Sequence, residues 1–204
     1  IFDETITGFR YSLGGAQELF NVIPDLATFG KGMANGYPLS AVVGRNVIMQ
    51  KVEDIFFSGT FGGETLSLAS AKVIIDKYKK YNVIKHFEVL GIDLLMQLNR
   101  LIDDNDLSDF FYTSGHPSWS FLHIKSQDNY STFEIKTFFL QEMLKQGVLT
   151  LGAHNLSFSH TKKDIDKLIK AYQEVLPLIK QYVTKGILIE NIKGEILKPL
   201  FKVR

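Results

Sequence analysis

Three short segments place reactive side chains beside glycines or at the end of an apolar stretch. Asp3 follows two apolar residues in "IFDE", Lys31 lies between two glycines in "TFGKG", and Thr60 lies in the Gly-rich stretch "SGTFGGE". Each segment by itself is typical of a surface turn, because Asp and Gly are common turn residues. Taken together, they supply a carboxylate, an amine and a hydroxyl that could act on one small molecule.

These three side chains match the needs of an imine-forming cofactor such as pyridoxal 5'-phosphate (PLP). A lysine must reach the cofactor's aldehyde, and the glycines beside Lys31 would let a flat ring approach the backbone. A carboxylate such as Asp3 would keep the ring nitrogen protonated, so that the ring can accept electrons from a deprotonated carbon. A phosphate needs hydroxyls and backbone N–H groups near the start of a helix, and Thr60 precedes a predicted helix.

Hydrophobic periodicity predicts the elements that carry these residues. Short apolar runs predict strands that end at Asp3, that precede Lys31 and that lie in "LSAVVGR". Apolar residues at helical spacing predict one helix from Thr65 to about Tyr81 and a second from about Val83 to Asp103. The acidic stretch "DDNDLSD" then breaks the pattern near residue 104.

Helices alternate with single strands after this break as well. "WSFLHIK" and "VLTLG" read as strands. One helix is predicted to begin near Ser131 or Thr132 and to end before Gly147. A long amphipathic helix follows Thr161, with Asp164 three residues later as a capping partner. This alternation predicts an α/β or α+β fold, with one domain over residues 1–104 and another over 105–204.

Composition narrows the classes of function. The 204 residues carry 23 basic and 22 acidic side chains, which gives a net charge of +1 and no electrostatic case for nucleic acid or an anionic membrane. The chain has no cysteine, which excludes disulfides and thiolate chemistry. No apolar run is long enough for a membrane span. We therefore expect a cytoplasmic protein with no nucleic-acid partner, no membrane partner and no metal site.

A longer pattern resembles a known family. "IFDETITGFRYS", followed after a gap by "DLATFGKGMANGYPLSAVVG" and then by "SGTFGGETLSLASA", is similar to the signature of class III (omega-type) PLP-dependent aminotransferases, and most of all to their glutamate-1-semialdehyde 2,1-aminomutase-like branch. The resemblance implies the fold type I (aspartate-aminotransferase-like) architecture. Residues 1–104 would be the later part of the large PLP-binding domain with a long connecting helix, and residues 105–204 the small C-terminal α/β domain.

The resemblance also implies roles for individual residues. Lys31 would be the Schiff-base lysine and proton shuttle, and Asp3 would pair with the pyridine nitrogen. Gly59 and Thr60 would bind the phosphate, in this family usually the phosphate held by the neighbouring subunit of a homodimer. Thr5 stands where the family usually has a valine packed on the ring, so its hydroxyl could tune the cofactor.

The implied reaction has two versions. The first is transfer of an amino group between a small-molecule amino donor and an aldehyde or ketone. The second is the semialdehyde aminomutase reaction, an isomerisation. True aminomutases have a glutamate before the last long helix, whereas no acidic residue lies between Glu142 and Asp164 here. His154 and Asn155 occupy the segment that faces the active site in relatives, so we regard them as candidate substrate-binding residues.

An alternative of another class is a truncated, non-catalytic domain that only dimerises. The resemblance begins partway through the family's pattern, and the upstream half of such enzymes carries a further phosphate loop and an aromatic residue that stacks on the cofactor. We therefore expect this sequence to be the C-terminal portion of an enzyme, and we expect it to bind PLP poorly by itself.

Overall fold

The computed structural model describes residues 1–127 and 129–199. The chain divides into two compact units, Ile1–Glu88 and Val89–Arg204. Residue 104, where the sequence predicts a domain boundary, is the last residue of a long helix that begins at Val83, and that boundary stays a prediction. Within this helix Gly91 lies against Pro117, where an added Cβ would be 1.9 Å from the carbonyl oxygen. That close approach leaves room only for glycine.

The first unit contains a three-stranded sheet in the order β1-β2-β3. Its strands are β1 (Phe2–Asp3), β2 (Leu26–Phe29) and β3 (Ala41–Gly44). β1 runs parallel to β2 and pairs Asp3 with Thr28, whereas β3 runs antiparallel to β2. All three strands were predicted, and they lie where the apolar runs placed them.

Short helices connect the strands, and two long helices follow. The short ones are α1 (Ala16–Leu19) and α2 (Asn46–Met49), together with 3-10 turns at Lys31–Met33 and Gln50–Asp54. The long ones are α3 (Thr65–Tyr81) and α4 (Val83–Asp104). Sequence periodicity predicted both long helices to within a residue, but it did not predict the four-residue helices, which are too short to show a period.

A small apolar cluster holds the lysine segment against α3. Met33, Ala34 and Ala71 are its buried members, and Phe9, Phe29, Leu39 and Ala41 pack against them. The Ser70 hydroxyl donates to the Ala34 carbonyl oxygen at 2.8 Å, which satisfies a polar group beside this cluster. Packing of this cluster against α3 therefore fixes the turn that contains Lys31.

The second unit contains an antiparallel sheet in the order β4-β5-β6. Its strands are β4 (Phe111–His116), β5 (Trp119–Ile124) and β6 (Ala153–Asn155). The strand predicted in "VLTLG" (148–152) was wrong, because Gly152 turns the chain at φ 89° and pairing with β5 begins only at Ala153. Leu149 and Leu151 are exposed instead.

Two capped helices complete the second unit. They are α5 (Thr132–Lys145) and α6 (Lys162–Thr184). Ser131 and Glu134 form a capping box at the start of α5, and Asp164 accepts from the Thr161 N–H and hydroxyl at 2.8 Å at the start of α6. A short 3-10 turn, Ile189–Asn191, follows α6. The caps confirm both predicted helix starts.

The core of the second unit is formed by large side chains from these elements. Its fully buried members include Phe111, Phe138, Phe139, Tyr172, Leu176 and Ile179.

Across residues 1–127 and 129–199, no helix combines the length and the apolar character needed to cross a membrane.

Candidate active site

Asp3 is anchored through one of its carboxylate oxygens. The parallel pairing of Asp3 with Thr28 places their side chains on the same face of the sheet. The Thr28 hydroxyl donates to Asp3 Oδ1 at 3.2 Å, and the Thr5 N–H donates to the same oxygen at 2.9 Å. The Thr5 side chain, its backbone N–H and the Thr28 hydroxyl together lower the pKa of Asp3. Asp3 is therefore an exposed anion with a fixed orientation.

Lys31 follows β2, the strand that pairs with the strand of Asp3. It begins the 3-10 turn directly after β2, and its side chain is exposed. Its positive charge is a further, smaller cause of the lowered pKa of Asp3. The backbone of Lys31 has φ 39°, in the left-handed region that residues with a Cβ seldom adopt. Strand pairing thus connects the segments of two residues that the sequence singled out, and their shared role stays a prediction.

Thr5 contacts Asp3 through its N–H and also lies near Gly30. It is partly buried, and its methyl carbon Cγ2 is 3.4 Å from the position that a Cβ on Gly30 would occupy. A Cβ at residue 30 would therefore make an ordinary van der Waals contact with Thr5. That the glycines beside Lys31 admit a flat ring stays a prediction.

Sequence reasoning missed the role of Glu4. Its carboxylate is buried and accepts from the N–H groups of Ala16 and Gln17 at 2.8 Å each, and from the Thr7 hydroxyl. Glu4 thereby caps α1 and links this helix to the chain directly after β1. Gly15 has φ 86°, and a Cβ there would lie 2.4 Å from Glu4 Oε2. The sequence signal that could have indicated this role is the acidic pair formed by Asp3 and Glu4.

Gly59 and Thr60 belong to the exposed loop 55–64 and not to the paired strands that join Asp3 to the lysine turn. Nothing lies within 4 Å of a Cβ built on Gly59. The loop leads into α3, where Glu64 accepts from the N–H groups of Leu66 and Ser67 at 2.8 and 2.7 Å. Phe56 and Phe57 in this loop are 96% and 79% exposed, so the loop has little packing within its own chain.

His154 belongs to the core of the second unit. Its Nδ1 lies 2.9 Å from the Ser120 hydroxyl, and its Nε2 lies 2.8 Å from the Tyr172 hydroxyl. Burial lowers its pKa to about 4, so the ring is neutral near pH 7. Because both ring nitrogens have partners, we assign this ring to the core and not to substrate. Asn155 is exposed at the end of β6, and its substrate role stays a prediction.

Comparison with known proteins identifies the family. The sequence pattern of the family "Aminotransferase class-III" matches residues 1–176. The chain is 30% identical to the 3-aminobutyryl-CoA aminotransferase of Cloacimonas acidaminovorans, with 89% of this chain and 44% of that protein aligned. It is 34% identical to the glutamate-1-semialdehyde 2,1-aminomutase of Methanosphaera stadtmanae, over 86% of this chain and 44% of that protein. The chain thus spans less than half the length of these curated relatives.

Solved structures agree on the fold. The PLP internal aldimine form of the FumI protein of Sphingopyxis sp. MTA144 superposes with a TM-score of 0.79 at 23% identity, covering 91% of this chain and 45% of that one. An omega-transaminase from Sphaerobacter thermophilus gives 0.74 at 18% identity, covering 88% and 44%. The predicted fold of the PLP-dependent transaminases, fold type I, is confirmed. This chain belongs to the class-III aminotransferase family.

Proposed function

We propose that this chain carries the lysine and the carboxylate of a PLP-dependent aminotransferase, which moves an amino group between an amino donor and an aldehyde or ketone. One observation carries the proposal. The strand of Asp3 pairs at Thr28 with the strand that leads to Lys31, and this pairing supports the proposal that the two residues serve one site. Family membership supplies the reaction class, and the donor and acceptor remain unspecified small molecules.

The residues present fit PLP. The exposed Asp3 carboxylate, which hydrogen bonds keep ionised, suits a protonated pyridine nitrogen. Lys31 Nζ would attach the cofactor's aldehyde, and Thr5 would lie beside the ring. Gly59 and Thr60 would hold the phosphate through an N–H group and a hydroxyl. When it is bound, PLP supplies an electron sink for a deprotonated substrate carbon.

The chain's own groups would then do two things. Asp3 would keep the proton on the ring nitrogen, because its fixed anionic oxygens favour the charged ring. Lys31 Nζ, once released from the cofactor, would take a proton from the substrate carbon and return it at another carbon, since an amine on a flexible four-carbon stem can reach both positions.

The aminomutase reaction is the second candidate, favoured by the similarity to aminomutases such as that of Methanosphaera stadtmanae. Against it, the segment between Glu142 and Asp164 contains no acidic residue. The two flanking acids are also engaged, since Glu142 pairs with Lys145 at 2.6 Å and Asp164 caps α6. We therefore place aminotransfer first.

We also propose a homodimer whose active sites lie at the subunit interface. The exposed phenylalanines of loop 55–64 support this, since a folded chain seldom leaves adjacent large apolar side chains in water. Thr60 would then reach the cofactor phosphate of the partner subunit.

A covalent-capture experiment tests the central assignment. The intact protein is incubated with PLP and reduced with borohydride, which turns the lysine linkage into a stable secondary amine, and peptide mass spectrometry locates the label. We expect the label on Lys31 and its loss in Lys31→Ala. Lys51→Ala is the matched control, because Lys51 is another exposed lysine of the same unit, and it should keep the label. Label on a different lysine, or none at all, would favour the non-catalytic alternative.

A further inference from the structure

The strand that carries Asp3 pairs with the strand that leads to Lys31. β1 comprises Phe2 and Asp3 and runs parallel to β2. Beyond the strand, the Glu4 N–H donates to the Thr28 carbonyl oxygen at 2.8 Å. These backbone hydrogen bonds fix the backbone of Asp3 but leave its side-chain torsions free. Side-chain hydrogen bonds must therefore set the direction of the carboxylate.

Thr28 supplies such a bond across 25 residues of sequence. Its hydroxyl donates to Asp3 Oδ1 at 3.2 Å, and it is the partner of Asp3 in the strand register. Thr5 also acts on this carboxylate, through its side chain and through its backbone N–H, which donates to Oδ1 at 2.9 Å. Thr28 also stands three residues before Lys31 in a continuous segment. One side chain thus links the strand of the carboxylate to the strand that leads to the lysine.

We propose that Thr28 is a positioning residue, whose hydroxyl holds the Asp3 carboxylate in the orientation that the ring nitrogen of the cofactor requires. The link to the cofactor rests on the function proposed above, whereas the hydrogen bond itself does not. If Thr28 had only a structural role, its β-branched shape, which favours strands, would matter and its hydroxyl would not. Thr28→Val keeps that shape and removes only the hydroxyl, so it separates the two roles.

The first test measures Asp3 without cofactor. A ¹³C NMR titration of the intact protein follows the Asp3 side-chain carboxyl, which Asp3→Asn identifies. The pKa of Asp3 should rise in Thr28→Val, because a donor to the anion is lost, and should stay near the wild-type value in Thr28→Ser. Thr28→Ala, which lacks both hydroxyl and methyl, should agree with Thr28→Val. Thr113→Val is the matched control, since Thr113 is also a strand threonine with a side-chain hydrogen bond, to Asn99 at 2.7 Å.

The second test measures the loaded enzyme. Because water screens this hydrogen bond to an exposed carboxylate, kcat should fall only roughly two- to tenfold in Thr28→Val, with little change in KM. Thr28→Ser should restore it. An unchanged Asp3 pKa in Thr28→Val and Thr28→Ala would overturn the positioning role whatever the cofactor does. A raised pKa together with wild-type chemistry in Asp3→Asn would keep the hydrogen bond and overturn the proposed function instead.

Discussion

Lys31 holds an unusual backbone conformation at the position where the chemistry is proposed. Its φ of 39° lies in the left-handed region, which costs a residue with a Cβ roughly 1–3 kcal/mol. Contacts on both sides hold it there, since Met33 N–H donates to the Gly30 carbonyl and Asn35 N–H to the Lys31 carbonyl, both at 2.9 Å. Such conformations concentrate at functional sites, so the turn supports Lys31 as the reactive residue over a solvated turn lysine.

Replacing the Asp3 carboxylate by an amide should impair proton abstraction and leave cofactor attachment intact. In Asp3→Asn, a neutral amide cannot hold the proton on the ring nitrogen, so exchange of the substrate α-proton with deuterium should slow by roughly 10²-fold or more. Borohydride should still label Lys31. ¹H NMR of a substrate amine measures the exchange.

Asp25→Asn is the control for this measurement, because Asp25 is an exposed aspartate that pairs with Arg45 at 3.0 Å. Its exchange rate should match that of the wild type. An undiminished rate in Asp3→Asn would mean that the carboxylate does not act at the ring nitrogen.

At the scale of elements, β5, β6 and α6 meet through one buried polar network. Ser120 of β5, His154 of β6 and Tyr172 of α6 are joined by two hydrogen bonds through the imidazole ring. Burial raises the pKa of the Tyr172 hydroxyl, so it stays protonated. A neutral imidazole offers one donor and one acceptor, and each neighbouring hydroxyl can complement either. These hydrogen bonds can form with either charge state of the ring, and it is burial that favours the uncharged ring in the folded protein.

The stability of the protein should therefore fall with acidification. The pKa of His154 is about 4 in the folded protein, below its usual 6.5. Between these two values the unfolded chain binds more protons than the folded protein. The contribution of His154 to stability is therefore fully present above pH 6.5 and is lost progressively as the pH falls toward 4. Below pH 4 the loss is complete and does not change further. The shift corresponds to on the order of 3 kcal/mol. Urea unfolding between pH 4.5 and 7.5 measures the decline.

His154→Gln removes this titration and should flatten the pH dependence, although it lowers stability at pH 7.5. His123→Gln serves as the control, because His123 lies on the sheet face stacked on Tyr112 at 4.4 Å and should leave the slope unchanged. If His154→Gln keeps the full acid-dependent loss, other groups cause it.

At the scale of the whole molecule, loop 55–64 carries a large apolar surface. Phe56, Phe57 and Phe61 are each more than half exposed, and they flank Gly59 and Thr60. The exposed phenylalanines suit a contact with a second subunit. The Thr60 hydroxyl and the nearby backbone N–H groups could donate hydrogen bonds to an anion at that contact. This arrangement motivates the proposal that Thr60 serves the site of the partner subunit.

Subunit exchange tests the proposal with two inactive variants of the intact protein. A dimer of one Lys31→Ala subunit and one Thr60→Asp subunit would have one site with both lesions and one site with neither. Equal mixing should restore about a quarter of wild-type activity, since half of the dimers are mixed and each has one intact site.

Mixing Lys31→Ala with Asp3→Asn is the control for subunit exchange. Both lesions would lie in their own subunit's site, so each site of the mixed dimer would carry one, and activity should not return. Failure of the first mixture, with exchange demonstrated by differently tagged subunits, would place Thr60 in its own subunit's site or outside any site.

The sequence alone determined the local features, and it is the source of the proposed reactive residues. The two long helices after Thr65, the capping boxes at Ser131 and Thr161, and the strands around Lys31 are all specified by neighbours within a few residues, which periodicity and cap chemistry report directly. The motif around Asp3 and Lys31 likewise indicated the family, because its residues and their spacing are legible without a structure.

Only the tertiary structure decided which distant groups meet. Thr28 reaches Asp3 through a strand register, and His154 is buried between Ser120 and Tyr172. No short-range pattern encodes these pairs, since they depend on which strands and helices pack together. The same reason explains the error at 148–152. The alternation of apolar residues there resembles a strand, but a strand forms only where a partner's backbone is available, and β5 offers it from Ala153 onward.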